Sequence, residues 1–336
     1  MKQYTSLYFV GAGGIGMSAL VRYFLAKGYK VAGYDRTQSP LTTELKTEGL
    51  EIVYEESVES IPDYCRNPET TLVVYTPAIP ASHAGLVYFR EHSFRVVKRA
   101  ELLGLITQSS KGLCFAGTHG KTTTSSMAAH IFHESPIGCN AFLGGILRNY
   151  NSNLILSEQS PFTVIEADEY DRSFHWLHPY MAVVTATDPD HLDIYGTEEA
   201  YLESFARFTS LIQPGGCLIM KKGIKLVPSV KENVKIYTYS ARDGGDFHAG
   251  NIRIGDGTIV FDFVMPEGRV AYRAGCSRGD KYRKRSGCYG DSVVEWGIWR
   301  RYAESYGLVQ GCKTPVRVLG ETSRQGNDRR LCTSPR

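Results

Sequence analysis

The segment GTHGKTTT at residues 117–124 constrains the fold of this chain more than any other segment. It follows an apolar run at residues 113–116 and opens a stretch that suits a helix. A glycine turn between a buried strand and a helix is typical of phosphate-binding loops, because unpaired amides and the helix dipole favour anions. Lys121 would bring charge to the β- and γ-phosphates, and Thr122 would offer a hydroxyl to Mg²⁺. Phe115 stands where the common P-loop has its first glycine, so this is a shortened variant, with a purely structural turn as the alternative.

A second glycine-rich segment, GAGGIGMS at residues 11–18, lies near the N-terminus. It separates a predicted strand at residues 6–10 from a predicted helix at 17–27, and the next strand, 29–34, ends at Asp35. Such a turn lets the backbone approach a diphosphate, and the carboxylate after the second strand suits a ribose hydroxyl. The motif predicts the first βαβ unit of a parallel sheet. It leaves three alternatives open: NAD or FAD, another nucleotide, or a structural glycine turn.

Two polar segments directly follow later apolar runs. They are EADEYDRSF at 166–174, after a predicted strand at 162–166, and DPDHLDIYG at 188–196, after a predicted strand at 181–187. Because ligands bind at the carboxyl ends of parallel strands, we expect these strand-end motifs to face one crevice. Glu166 would ligate Mg²⁺ through oxygen, and His191 would ligate a second metal ion or contact phosphate. A solvated acidic loop and a structural histidine are the alternatives.

The composition, 42% apolar and 22% charged, is that of a globular protein, and a length of 336 residues predicts two or three domains. No apolar run approaches the roughly 18 residues of a membrane span, and the N-terminus shows no secretory leader, so we expect a cytoplasmic protein. The eight cysteines lack the two-residue spacing of a zinc or redox motif. We interpret them as reduced and structural.

The motifs together resemble one family, the Mur ligases. GAGGIGMSAL, GTHGKTTT, EADEYDRSF and DPDHLDIYG look like that family's motifs, in its order and approximate spacing, over residues 5–265. The resemblance implies an α/β chain with a Rossmann-like, parallel-sheet, UDP-binding domain at residues 1–108. A P-loop-type α/β central domain that binds ATP and Mg²⁺ would follow at residues 109–270. The family's C-terminal domain, which closes over the amino acid, would be missing, and residues 271–336 would be an irregular tail.

The resemblance also implies a reaction and its residues. It is closest to the members that join L-alanine to UDP-N-acetylmuramate, in which the muramate carboxylate attacks the γ-phosphate of ATP and the alanine amine then displaces phosphate. The implied residues for the UDP-linked substrate are Gly13, Gly14, Ile15, Gly16, Asp35 and Thr76. Those for ATP are Gly117, Thr118, His119, Gly120, Lys121, Thr122 and Thr123. Catalysis would depend on Lys121, Glu166 and His191, with Mg²⁺ held by Thr122, Glu166 and His191.

The tail departs from the family. Residues 271–336 hold 14 Lys/Arg against 6 Asp/Glu and show no clear apolar period, whereas the whole chain carries only +3. Codons compatible with residues 273–297 admit ELGVPVEINIENGVAAMAIAWLNG in the adjacent reading frame, and the same frame admits GVKRRF at 311–317 and VMIDDYAHHP at 326–336. These resemble the family's missing segments, so we hypothesise a frameshifted, non-native tail. The alternative, a basic nucleic-acid arm, is then unnecessary, and we expect no nucleic-acid partner.

Three other functional hypotheses stay open at this stage. The chain would be a catalytically dead nucleotide-binding remnant if closure over the amino acid is required for the reaction. It would be another amide ligase of this architecture, acting on a later peptidoglycan precursor or on folate, if the amino-acid specificity differs. A dinucleotide oxidoreductase built on residues 11–18 is the third hypothesis, and it leaves residues 117–124 without a purpose. No pattern indicates a membrane partner or an oligomeric state.

Overall fold

The computed structural model describes residues 3–147, 149–241, 244–255, 258–275, 297–299 and 318–319. The chain divides into two compact units, Met1–Ser109 and Ser110–Arg336. The boundary between them lies one residue after the predicted one, which followed residue 108. Each unit has its own sheet and its own buried core. The predicted fold class, two successive α/β units, is therefore confirmed.

The first unit alternates strands and helices. Its strands are β1 (Ser6–Val10), β2 (Lys30–Tyr34), β3 (Glu51–Val53), β4 (Thr71–Tyr75) and β5 (Arg95–Lys98). Its helices are α1 (Ile15–Ala26), α2 (Pro40–Thr47), α3 (Ala84–Glu91) and α4 (Arg99–Gln108), with a 3-10 helix at Asp63–Cys65. The strands form one parallel sheet in the order β3-β2-β1-β4-β5. In such an order the ligand crevice lies beyond the carboxyl end of the central strand β1.

Local sequence accounts for these elements. β1 is buried at every position, as expected of a central strand with both faces covered. α2 begins at a capping box in which Ser39 and Thr42 accept hydrogen bonds from each other's backbone amides. Pro40 follows at the first helical position, where its missing N–H has no cost. The start of α2 is therefore set by its own residues.

The second unit is larger and mixed. Its strands are β6 (Lys111–Ala116), β7 (Asn140–Leu147), β8 (Ser152–Ile155), β9 (Phe162–Glu166), β10 (Pro179–Val184), β11 (Cys217–Lys221), β12 (Lys235–Ser240), β13 (Phe247–Gly255), β14 (Thr258–Met265), β15 (Gly268–Gly275) and β16 (Val318–Leu319). Its helices are α5 (Lys121–His133), α6 (Leu192–Tyr195) and α7 (Glu198–Ser210), with a 3-10 helix at Tyr170–Trp176. The strands form one sheet in the order β15-β14-β13-β12-β11-β10-β6-β9-β7-β16, and β8 pairs with β7.

The centre of this sheet is parallel, from β13 across to β7, whereas β14, β15, β8 and β16 pair antiparallel at its margins. The neighbours β10, β6 and β9 point the same way, so their carboxyl ends lie side by side. The connections that leave those ends carry the motifs found in the sequence. The topology thus brings three separate segments of the second unit to one edge.

Most predicted elements are observed close to their predicted bounds. β1 and β9 match residue for residue, and α1 begins two residues earlier than predicted. For the strand predicted at 181–187, the predicted C-terminal end is wrong, because β10 ends at Val184. Beyond that point the neighbouring strand has become a glycine loop, and the Ala186 carbonyl accepts a hydrogen bond from the Thr118 amide at 3.1 Å. Residues 185–187 therefore support the loop instead of extending the sheet.

The core of the second unit includes residues beyond the predicted boundary at 270. Ile298 and Trp299 are buried in it, with the Trp299 ring centroid 4.9 Å from that of Phe115. β15 also continues to Gly275. The rest of residues 276–336, apart from β16, lies outside the described residues, and with it most of the sequence to which the tail and frameshift hypotheses apply.

Four cysteines fall in the described part of the chain. Cys65, Cys114, Cys139 and Cys217 are free thiols. Burial raises the pKa of the Cys65 and Cys217 thiols to about 12, which disfavours the reactive thiolate. No helix among the described residues is both long enough and apolar enough to cross a bilayer.

Candidate nucleotide-binding sites

The GTHG loop (residues 117–120) connects the end of β6 to the start of α5. Gly117 has a φ of +135°, and a Cβ there would overlap Thr185 Oγ1 and lie 2.8 Å from the Ala186 nitrogen. Gly120 precedes α5 in the left-handed region, with a φ of +86°. Both positions need glycine for conformation, and Gly117 also needs it for space. The loop is therefore fixed in a tight turn at the N-terminus of α5, where backbone amides favour anions.

Lys121, the first residue of α5, directs its ammonium back over the GTHG loop. Its Nζ donates to the Gly117 carbonyl oxygen and to Glu169 Oε1, each at 2.8 Å. The side chains of Lys121 and Glu169 are 16% and 1% exposed, so the ion pair is largely shielded from water. Burial raises the pKa of Glu169, and the attraction of Lys121 opposes that rise. The predicted phosphate-binding lysine is thus in place, already paired with a carboxylate of its own unit.

Glu166 and Thr122 meet at the same edge. Thr122 Oγ1 donates to Glu166 Oε1 at 2.8 Å, and the Gly144 amide donates to Glu166 Oε2 at 3.0 Å. Burial raises the pKa of Glu166, opposed by these two hydrogen bonds and by Lys121. The sequence predicted this proximity of Thr122 and Glu166. It gave no indication that Gly144, on β7, would hold the second carboxylate oxygen.

Thr118 and His119 have structural contacts in the loop. Thr118 Oγ1 donates to the Asp188 carbonyl oxygen at 2.7 Å and is 2.9 Å from the Tyr201 hydroxyl. The His119 carbonyl accepts a hydrogen bond from Thr185 Oγ1, while the His119 residue itself is exposed. Thr123 is half-buried on α5. The side chain of Thr118 therefore ties the loop to the segment after β10.

His191 lies on that segment, just before α6. Its φ is +53°, its amide donates to Asp190 Oδ1 at 2.8 Å, and its ring lies edge-on to Tyr170 with centroids 5.2 Å apart. Within the described residues, His191 has no hydrogen bond to Thr122 or Glu166. The metal-binding role of His191 therefore stays a prediction.

The oxygen ligands suit a magnesium ion bound together with phosphates. Thr122 Oγ1 and Glu166 Oε1 form a close pair of hard ligands, although the described residues contain no group of three His, Cys, Asp or Glu side chains that would hold a metal ion. Mg²⁺ is commonly held by one or two protein oxygens, with substrate phosphates and water supplying the rest. The residues present fit that mode of binding and not a complete protein cage.

The GAGG loop (residues 11–14) of the first unit joins β1 to α1. Gly11 has a φ of +90°, and a Cβ there would lie 2.7 Å from Thr76 Cγ2. The Gly13 amide donates to Asp35 Oδ2 at 2.7 Å, and the Thr37 amide donates to Asp35 Oδ1 at 3.1 Å. The structure thus brings Asp35 and Thr76 to this loop as predicted from the sequence. The Asp35 carboxylate, expected at a ribose, contacts a loop amide.

The remaining predicted residues of this site open α1. Gly14 precedes the helix at a φ of −69°, Ile15 is its first residue, and Gly16 is the second. A Cβ at Gly16 would lie 2.6 Å from Arg99 Nη1, so the guanidinium covers the first turn of α1. No sequence pattern indicates this arginine, which is the first residue of α4.

The residues missed from sequence share one property: their partners are distant in the chain. Glu169 belongs to the acidic run that was identified, but spacing does not reveal which carboxylate faces Lys121. The Gly144 amide on β7 donates to Glu166, and Thr185, just after β10, donates to the His119 carbonyl of the loop; neither residue stands in a motif. The features of the site that the sequence does indicate are the glycines of the loops and the position of each motif at the end of a strand.

Comparison with known proteins identifies the family. Residues 6–111 match the family model described as "Mur ligase family, catalytic domain", and residues 115–276 match the model described as "Mur ligase middle domain". The UDP-N-acetylmuramate--L-alanine ligase of Parabacteroides distasonis is 66% identical over 270 residues, which are 80% of this chain and 58% of that protein. The enzyme of the same name from Phocaeicola vulgatus is 65% identical over 265 residues, 79% of this chain and 58% of that protein. The chain therefore spans about 58% of the length of these curated relatives.

Solved structures agree on the fold. UDP-N-acetylmuramate:L-alanyl-gamma-D-glutamyl-meso-diaminopimelate ligase from Neisseria meningitides superposes with a TM-score of 0.72 at 20% identity, covering 89% of this chain and 93% of that one. UDP-N-acetylmuramate-alanine ligase from Thermotoga maritima superposes with a TM-score of 0.69 at 21% identity, covering 90% of this chain and 65% of that one. With both domain descriptions matched in sequence order and the fold shared, the chain belongs to the Mur ligase family.

Proposed function

We propose that this chain provides the ATP-binding and UDP-sugar-binding units of an ATP-dependent ligase that joins L-alanine to the carboxylate of UDP-N-acetylmuramate. The observation that carries the proposal is the grouping of Lys121, Thr122 and Glu166 at the GTHG loop. High identity to ligases of that name supports the choice of substrates. The reaction would contribute to peptidoglycan precursor synthesis, and its use of ATP supports a cytoplasmic location.

The chemistry requires a carboxylate to attack a triphosphate, so like charges must approach. The GTHG loop would bind the phosphates through backbone amides at the N-terminus of α5, and Lys121 would offset their charge. Thr122 and Glu166 would hold Mg²⁺, which when bound supplies further positive charge to the phosphates. Attack gives an acyl phosphate and releases ADP. The alanine amine then displaces inorganic phosphate and loses a proton to form the amide. No protein nucleophile is needed.

The first unit would hold the UDP part of the substrate. Its GAGG loop and the start of α1 would face the diphosphate, with Gly13, Gly14, Ile15 and Gly16 as the cradle. Asp35 and Thr76, which already contact the loop, would complete that site. ATP and the UDP-linked substrate would then be bound by separate units.

The test is phosphate release by the full 336-residue chain with ATP, Mg²⁺ and UDP-N-acetylmuramate, with and without L-alanine. Release that requires both substrates supports the ligase. ADP binding by calorimetry without any release would favour a nucleotide-binding remnant. Release with L-alanyl-γ-D-glutamyl-diaminopimelate, but not with L-alanine, would assign a different Mur ligase activity. Absence of ADP binding would contradict the proposal.

The magnesium site is tested separately by Thr122→Val, with Thr47→Val, at an exposed position on α2 of the first unit, as the matched control. Thr122→Val removes the hydroxyl bonded to Glu166, so we expect Mg²⁺ to increase ADP affinity about tenfold less than it does in the wild type. ADP affinity without Mg²⁺ should change little. An equal loss of the Mg²⁺ effect in both variants would contradict the assignment of Thr122.

A further inference from the structure

We propose that Glu169 is the internal counter-ion of the GTHG loop: it holds the Lys121 ammonium over the loop when no nucleotide is bound, and it lowers the loop's affinity for phosphate. Glu169 is thus a positioning residue that acts through Lys121. The inference rests on the proposed binding of ATP at this loop. It adds a residue that sets how strongly the loop binds phosphate.

The geometry of the ion pair is the first support. Lys121 Nζ donates to Glu169 Oε1 and to the Gly117 carbonyl oxygen, both at 2.8 Å, so two of its three donors already have partners in the protein. With Glu169 only 1% exposed, the charge–charge interaction is weakly screened. A phosphate at this loop would meet an ammonium whose charge is already partly balanced.

The second support is how firmly the backbone of Glu169 is held. Its carbonyl oxygen accepts hydrogen bonds from the Tyr195 hydroxyl and from the Arg172 amide, the latter at 3.0 Å. The next turn contains two consecutive non-glycine residues in the left-handed region, Asp171 at a φ of +51° and Arg172 at +54°. Such conformations persist only where surrounding contacts determine them. Glu169 is therefore fixed in place.

The third support is a contrast between the two buried glutamates. Both carboxylate oxygens of Glu166 are hydrogen-bonded, to a hydroxyl and to an amide. Glu169 Oε2 is buried with no hydrogen-bond partner among the described residues. A buried carboxylate with an unsatisfied oxygen is costly, so its main compensation is the charge of Lys121. Glu166 contacts the predicted metal-binding hydroxyl, whereas Glu169 contacts the ammonium.

The consequence for binding follows from linkage. Phosphate and the Glu169 carboxylate both interact with one ammonium, so each weakens the other's interaction by the same factor. Removing the charge of Glu169 should therefore strengthen phosphate binding and lower the stability of the nucleotide-free protein. If Glu169 had only a structural role, its removal would lower the stability without strengthening phosphate binding.

The experiment compares the full chain with its Glu169→Gln variant by calorimetry with ADP in the absence of Mg²⁺, and by thermal unfolding with and without ADP. Glutamine keeps an oxygen that accepts from Lys121 but has no charge. We expect ADP to bind about five- to tenfold more tightly to the variant, as typical for coupled sites. The ADP-free variant should unfold at a lower temperature, with a larger ADP-induced increase. Glu203→Gln, an exposed change on α7, is the matched control and should alter neither quantity.

Unchanged or weaker ADP binding by Glu169→Gln, with wild-type binding intact, would overturn this inference and leave the proposed function standing. Failure of the wild type to bind ADP would overturn both. If Glu169→Gln does not fold, Glu169→Asp replaces it, because the shorter carboxylate loses contact with Lys121. It should also bind ADP more tightly than the wild type, by a smaller factor, and unchanged or weaker binding would again overturn the inference.

Discussion

The GAGG loop of the first unit and the GTHG loop of the second unit share one backbone design and differ in the charges that surround it. Each follows a buried parallel strand, and each opens a helix. In the first unit a carboxylate, Asp35, accepts a hydrogen bond directly from the Gly13 amide. In the second unit the carboxylates contact side chains of α5, with Glu169 on Lys121 and Glu166 on Thr122, and Glu166 also accepts a hydrogen bond from the Gly144 amide on β7.

Glycine spacing therefore specifies a turn but does not specify which ligand the turn binds. The GAGG loop has no lysine of its own, and its helix N-terminus is covered by the Arg99 guanidinium from α4. The GTHG loop is followed by an ammonium at the first residue of α5, Lys121, and the Glu169 carboxylate of the same unit balances its charge. The proposed diphosphate-binding loop and the proposed ATP-binding loop thus differ mainly in the charges near them.

The largest effect should come from Lys121→Met. The change removes the ammonium, so we expect ADP affinity to fall about 10- to 100-fold, because a hydrogen bond to a charged group contributes roughly 1.5–3 kcal/mol. It also leaves Glu169 buried without its partner, which should cost roughly 3 kcal/mol in the free energy of unfolding. ADP calorimetry and denaturant unfolding measure the two effects.

Lys225→Met is the control for that variant, because Lys225 pairs with Glu198 at an exposed site, where its side chain is 72% exposed. UDP binding should be unchanged in both variants if the GAGG loop acts independently of Lys121. Normal ADP affinity in Lys121→Met would contradict the view that the Lys121 ammonium distinguishes the GTHG loop from the GAGG loop.

Next in size is a matched pair of glycine substitutions. Gly117→Ala places a methyl group against Thr185 and the Ala186 backbone at a φ of +135°, and should cost about 3 kcal/mol. Gly14→Ala has an ordinary φ of −69° and no atom closer than 3.8 Å to its Cβ, so its cost should stay below about 1 kcal/mol. Equal losses in denaturant unfolding would show that the two turns are equally constrained.

A smaller effect is expected from Asp35→Asn. An amide oxygen still accepts one hydrogen bond from Gly13 or Thr37 but lacks the charge, so the free energy of unfolding should fall by about 1 kcal/mol. UDP affinity should change while ADP affinity does not. Asp63→Asn, at an exposed carboxylate of the same unit, is the control. A change in ADP affinity alone would contradict the assignment of Asp35 to the UDP site.

The smallest effect concerns pH and His83 of the first unit. Burial lowers the pKa of His83, and its Nδ1 accepts a hydrogen bond from the Leu86 amide at 3.3 Å. As pH falls, the unfolded chain binds the proton at a higher pH than the folded protein does. The contribution of His83 to the free energy of unfolding should therefore be complete above the ordinary histidine pKa of about 6.5 and should decrease as pH falls below it. His83→Asn keeps an acceptor for the Leu86 amide and should flatten that loss. Unfolding curves between pH 7 and 5 test this, and an unchanged slope would exclude His83 as the cause.

Sequence reasoning recovered the strands and turns because their signals are local. Residues 6–10 and 162–166 are mainly apolar runs, the first ended by a glycine turn and the second by an acidic segment, and they occur as β1 and β9 with the predicted bounds. The end of β10 was predicted three residues too late. An apolar run does not show where its neighbour on the sheet, β6, turns away into a loop. Strand ends depend on a partner that is distant in sequence.

The two glycine turns and the residue types needed for phosphate and magnesium can be predicted from the sequence alone, since each depends on only a few neighbouring residues. Tertiary structure alone decided which charges meet. It placed Glu169 rather than another acid on Lys121, Gly144 on Glu166, and Arg99 over the first turn of α1. The physical reason is that electrostatic contacts depend on distances between separate elements, and the order of strands in the sheet sets those distances.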